Sequence, residues 1–154
     1  QEAGREASRE LRATLQALRD DDTAPPRGPD DVPELVERVR AMGLDAKLTI
    51  EGQRRDVPAA VGRTVYRIVQ EALTNVARHA RAGTAFVRIE YRPDAVAVRV
   101  DDDGTAAPGR PPVPGLGLLG MRERVTALGG SLHAGPCDQG GFTVQAELPV
   151  ERVP

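Results

Sequence analysis

The sequence has no tryptophan, two tyrosines, two phenylalanines and a single cysteine. With aromatics at 3%, a core has to be assembled from valine, leucine, isoleucine and alanine, and no tryptophan is available to anchor an interface. One cysteine cannot form an internal disulfide. Cys137, set among Gly135, Pro136 and Asp138, reads as part of a turn between strands, and a lone thiol fits a reducing compartment. No apolar run approaches the roughly 18 residues of a membrane span. The opening residues QEAGREASRE have neither a signal peptide's apolar centre nor an initiator methionine, so the sequence reads as a piece of a longer chain. An excess of either charge is also missing: 21 basic side chains face 23 acidic ones, for a net charge of -2. Without a basic surplus there is no electrostatic footprint for nucleic acid.

What is present is a chain of 154 residues, enough to close one core, with a tail. Residues 1–20 carry Leu11, Leu15 and Leu18 on one helical stripe among charged residues, the pattern of the end of a coiled coil or helical hairpin. The run DDDTAPPRGPDD, from Asp20 to Asp31, breaks every regular pattern, so 21–31 reads as a linker and 32–150 as the domain, with 151–154 as a tail. Within the domain the spacing predicts helices over 33–42, 58–81 and 117–128, with Gly43 and Gly129-Gly130 as stops. It predicts strands over 46–52, 86–91, 96–100, 131–134 and 141–148, the second and third joined as a hairpin through Arg92-Pro93-Asp94-Ala95. Val96, Val98 and Val100 share one face, as do Phe142, Val144, Ala146 and Leu148. Helices on one side of a mostly antiparallel five-stranded sheet make an α+β two-layer sandwich.

Three segments carry chemistry. On the longest helix Val61, Val65, Ile68, Ala72 and Val76 form an apolar stripe, and Glu71, Asn75 and Arg78 form a polar row along its edge. Asn75 can give Mg²⁺ one oxygen while phosphates and waters complete the octahedron, and Arg78 can neutralise phosphate charge. Taken alone, such a row is more often a solvated helix face. Asp101-Asp102-Asp103-Gly104 follows a buried valine strand, where a carboxylate can accept a hydrogen bond from an exocyclic amine such as adenine's. An acidic β-turn is the plainer alternative. Gly115 to Arg124 (GLGLLGMRER) enters a helix with glycines that expose backbone N–H groups to an anion. No lysine follows as in a phosphate loop, and no strand precedes as in a dinucleotide fingerprint.

In this order the segments resemble the ATP-binding catalytic domain of sensor histidine kinases, within the gyrase, Hsp90, histidine kinase and MutL (GHKL) ATPase superfamily. QEALTNVARHA (Gln70 to Ala80) is similar to the family's N box, VDDDG (Val100 to Gly104) to its first glycine box, and GLGLLGMRERV (Gly115 to Val125) to its second. The last segment and short lid resemble the subfamily paired with helix-turn-helix response regulators, and the likeness spans about 32–150. It implies the Bergerat fold, a left-handed mixed α/β sandwich, and the cofactors ATP and Mg²⁺. Asn75 would hold the metal, with Glu71 beside it polarising water or supporting the ion. Asp102 would bind the adenine amine, Gly104 would pass under the base, Arg78 and His79 would face the phosphates, and Gly115, Gly117 and Leu118 would form the end of the ATP lid. The sequence departs from the pattern at Ala106, where the first box has its second glycine, and in a lid holding Pro108, Pro111, Pro112 and Pro114.

The resemblance implies transfer of the ATP γ-phosphoryl to a histidine on an upstream dimerisation hairpin, then to a response regulator. Nothing here matches that phosphoacceptor: His79 belongs to the N box and His133 falls in a strand. It further implies a homodimeric parent, a cytoplasmic domain compatible with anchoring in the bacterial inner membrane, and no nucleic-acid partner. Two other readings stay open. An anti-sigma-factor serine kinase shares fold and boxes but would normally lack the leucine-striped stub. A degenerate ATP-sensing interaction module is favoured by Ala106 and the proline-rich lid.

Overall fold

The computed structural model describes residues 27–78, 84–104, 116–137 and 140–150, with backbone alone for Arg78 and residues 116–118. Strands β1 (Asp45–Glu51), β2 (Thr84–Tyr91), β3 (Ala95–Asp102), β4 (Ser131–Pro136) and β5 (Phe142–Pro149) form one sheet in the order β1-β2-β3-β5-β4. β1 runs parallel to β2, and the other three pairings are antiparallel. A parallel pair needs a long crossover, and the helix α2 (Ala59–Arg78) supplies it. Helix α1 (Val32–Ala41) packs on β1, α2 on β3 and β2, and α3 (Leu116–Ala127) on β4 and β5.

Alternation along the strands decides which face the helices cover. Val96, Val98 and Val100 are buried while Arg99 is exposed, and Val144, Ala146 and Leu148 are buried while Gln145 and Glu147 are exposed. The expected stripe of α2 is all buried, and Val69 and Leu73 join it. The arc is wider than one stripe because α2 is the middle helix, touched by α1 and α3 as well as by the sheet. Glycines end the flanking helices as expected. Gly43 has φ +102°, its N–H donates to Arg40 O at 3.0 Å and Leu44 N–H to Val39 O at 3.1 Å. Gly129 repeats this at φ +82°, with Gly130 N–H donating to Val125 O at 2.9 Å, so orphan carbonyls at both helix ends are satisfied.

Some boundaries differ from the sequence reading. β3 runs two residues past Val100, because Asp102 still pairs with Ala85 of β2. The last turn expected of α2, at 79–81, lies outside the described residues, as do the segments 1–20 and 151–154. Within the segment read as a linker, Pro29–Asp31 form a 3₁₀ turn with Pro29 buried. The absent side chain of Gly62 lets this turn approach α2, since a Cβ there would stand 3.3 Å from Pro29 Cδ. Arg27 lies over the Tyr66 ring at 5.7 Å, and burial pushes the Tyr66 phenol above its usual range. Arg54 forks onto Asp30 and holds its carboxyl below the usual carboxylate range.

Candidate functional site

The three consecutive acids at the end of β3 have three different surroundings. Successive residues of a strand face opposite ways, so Asp102 continues the helix-facing row of Val96, Val98 and Val100 while Asp101 falls on the open face. There Arg99 Nε lies 3.0 and 2.8 Å from the two Asp101 oxygens, and the Thr143 hydroxyl also donates to Asp101. Asp103 folds back on β2: its Oδ1 accepts the Thr84 N–H at 2.7 Å and its own N–H donates to Thr84 O at 3.2 Å. Asp102, half-buried, accepts the Gly104 N–H on Oδ1 at 2.9 Å, an Asx turn that fixes the carboxylate's orientation. Gly104 is buried behind it. Of the three, only Asp102 points into the helix layer.

α2 crosses β3, so its polar row belongs to the same layer as Asp102. Glu71 is 6% exposed and Asn75 is half-buried, so the row lies farther inside than a solvated face would. Thr74, between them, returns its hydroxyl to Gln70 O at 2.8 Å and is occupied within the helix. Gly117 and Leu118 lie in the first turn of α3, beside α2. The side chain of Arg78, His79, Gly115 and the lid 105–114 lie outside the described residues. Among the described residues no group of three or more His, Cys, Asp or Glu side chains could hold a metal ion. Glu71 and Asn75 offer a carboxylate and an amide oxygen, a donor set too small for a protein cage. It fits an ion such as Mg²⁺ that keeps waters and takes phosphate oxygens.

The turn expected around Cys137 lies between β4 and β5, but the sequence reading gave its Gly140 and Gly141 no part in the site. Gly141 has φ +83°, and a Cβ on it would lie 2.0 Å from Asp102 O and 3.2 Å from Asp102 Oδ1. At Gly140, φ +93°, a Cβ would lie 3.6 Å from Gly104 O. This turn therefore closes directly on the Asp102–Gly104 turn. It is held by Cys137 N–H to Gly141 O at 3.0 Å and by Cys137 Sγ and Thr143 Oγ1 at 2.7 Å. The signal was a Gly-Gly pair entering a strand, whose meaning depends on which strand lies alongside.

His133 is exposed on the open face of the sheet. A depression of about 370 Å³ on that face is lined by His133, Arg88, Arg99, Glu90, Arg92 and Glu147. Arg92 there bridges Glu90 at 3.2 Å and Glu147 at 3.3 Å, and none of the candidate site residues lines it.

Comparison with known proteins bears on the family and the fold. Sensor histidine kinase LnrJ of Bacillus subtilis (strain 168) is 30% identical over 124 residues, covering 75% of this chain and 30% of LnrJ. Sensor histidine kinase YxjM of the same strain is 37% identical over 109 residues, covering 70% of this chain and 26% of YxjM. The chain thus spans less than a third of the length of either relative. The ATP binding domain of PrrB from Mycobacterium tuberculosis shares the fold, with a TM-score of 0.60 at 18% identity over 79% of this chain and 93% of that one. The family described as histidine kinase-, DNA gyrase B-, and HSP90-like ATPase matches residues 60–152, which hold α2, all strands but β1, and α3. With its mixed five-stranded sheet and three covering helices, the chain belongs to this histidine kinase-, DNA gyrase B- and HSP90-like ATPase family and shares its ATP-binding fold.

Proposed function

We propose that this chain is the ATP-binding catalytic domain of a two-component sensor histidine kinase, which presents the γ-phosphoryl group of Mg-ATP to a histidine on a dimerisation hairpin. The observation that carries the reading is the layering of Asp102 with the Glu71/Asn75 row: an amine acceptor and oxygen donors for a phosphate-bound cation lie in the same helix-covered layer. The kinase relatives favour phosphoryl transfer to histidine over the other chemistries of the family.

In this reading Asp102 accepts the adenine amine, Gly104 lets the backbone pass under the base, and Arg78 and His79 face the phosphates. Gly115, Gly117 and Leu118 form the end of the lid. Asn75 gives Mg²⁺ its protein oxygen, with Glu71 supporting. When bound, the ion neutralises charge between phosphoryl oxygens. The chain's own contribution is to bind and orient the nucleotide, since phosphoryl transfer is catalysed mainly by positioning and charge neutralisation. The base that activates the histidine lies outside this chain, as does the phosphoacceptor part of the dimerisation hairpin. Residues 1–20 are the end of that hairpin's second helix, 21–31 the linker and 32–150 the catalytic domain. The parent is a homodimer that passes phosphate to a response regulator with a receiver and a helix-turn-helix output domain. The domain acts in the cytoplasm; no helix among the described residues is long and apolar enough to cross a membrane.

Mixing this chain with a separately made hairpin that carries its histidine, in the presence of Mg-ATP, tests the reading. Acid-labile phosphate on the hairpin is the expected product, whereas acid-stable phosphate would point to a serine kinase. Asn75→Ala provides a test of the metal role. Outer-shell partners of bound metals are worth about 10- to 100-fold in affinity, so loss of a direct ligand is expected to weaken Mg-ATP binding by at least about tenfold. Metal-free ATP binding is expected to stay nearly unchanged. Calorimetry with and without chelator checks this, and equal losses in both conditions contradict a metal role.

A further inference from the structure

The end of the sheet that carries Asp102 is lopsided in side-chain size. On the helix-facing row, Ala46 pairs with Ala85 and Ala85 with Asp102, and both alanines are buried. On the other flank Val100 pairs with Val144 and Asp101 with Thr143, so the next step of the same register brings Phe142 level with Asp102. Phe142 shares the face of Val144, Ala146 and Leu148, and packs on the edge of the core while remaining half-buried. Its neighbour on β4 is Pro136, with which the sheet ends. The half-buried ring thus stands beside a half-buried carboxylate. Gly141, pressed against the Asp102 backbone, puts no side chain between them.

Two selective elements follow from this pairing. A carboxylate accepts from an exocyclic amine, which adenine, cytosine and guanine all carry, so Asp102 alone selects an amine-bearing base and does not separate a purine from a pyrimidine. An apolar wall rewards contact area and keeps water from the charge-assisted hydrogen bond, so it favours a bicyclic over a monocyclic base. We propose that Phe142 is a specificity-determining residue, its ring forming the wall on which the purine seats while Asp102 takes the amine. This rests on the adenine-nucleotide reading above.

Titrating the whole chain with ATP, CTP and inorganic tripolyphosphate, each with Mg²⁺, tests the proposal. Phe142→Ala is expected to weaken ATP about tenfold, by the apolar area lost. It should weaken CTP much less, shrinking the preference for ATP over CTP, and leave tripolyphosphate unchanged. Phe142→Leu, which keeps apolar volume but not the flat ring, is expected to lose about threefold for ATP alone. Unchanged ATP affinity in both variants would overturn the proposal. So would equal losses for ATP and tripolyphosphate, the mark of a merely structural residue. If the wild-type chain binds tripolyphosphate as tightly as ATP, the adenine reading itself fails and takes the proposal with it.

Discussion

Asp102→Asn is expected to lower ATP affinity about a hundredfold while shifting the melting temperature by no more than about 2 °C. The two halves of that expectation have separate causes. Asparagine has the same shape and keeps an Oδ1 that can accept the Gly104 N–H, now at 2.9 Å, so the Asx turn survives and the fold with it. What is lost is the charge opposite an amine. A hydrogen bond to a charged group contributes about 1.5–3 kcal/mol, and an asparagine turned to keep Gly104 can present only its NH₂ to that amine, donor against donor. Calorimetry paired with thermal unfolding reads both quantities. The neighbouring acids supply the comparison, because Asp101 is engaged by Arg99 and Thr143 on the open face and Asp103 by Thr84. Asp101→Asn should leave ATP affinity within about twofold, a difference of well under 1 kcal/mol. An Asp102→Asn variant that binds ATP as tightly as wild type would remove the adenine role.

The difference between Asp102 and its neighbours could be half read from the sequence. Alternation from Val96 through Val100 already places position 102 on the buried face, but the strand seemed to end at Val100, where the acids begin. Only pairing with Ala85 carries it on to Asp102. The same limit recurs elsewhere. The stripe of α2, the glycine stops and the valine rows were legible because each is local and periodic. The burial of Glu71 was not, because it depends on which elements pack around α2. The parallel pairing of β1 with β2 was not, because it joins segments separated by a whole helix. The closing of Gly140 and Gly141 on Asp102 and Gly104 is the clearest case, since it exists only in the register of β3 against β5.

That contact predicts a large stability effect from a single substitution. Gly141→Ala should cost about 3 kcal/mol and lower the melting temperature by about 10 °C. Part of the cost is backbone: at φ +83° an alanine meets the left-handed penalty of about 1–2 kcal/mol. The larger part is contact. The new Cβ would lie 2.0 Å from Asp102 O and 3.0 Å from Asp102 C, and a backbone atom cannot swing aside as a side-chain tip can. β5 must then lift from β3 where Thr143 pairs with Asp101. Gly43→Ala separates the two parts, because Gly43 has φ +102° but nothing within 4 Å of the position its Cβ would take. It should show the backbone cost alone, about 1 kcal/mol. Thermal unfolding of both variants measures the difference, and equal shifts would mean that the close approach at Gly141 is absent. The contact also predicts a second readout. The atoms that give way belong to Asp102, so Gly141→Ala should weaken ATP binding at temperatures where the domain is still folded, and Gly43→Ala should not.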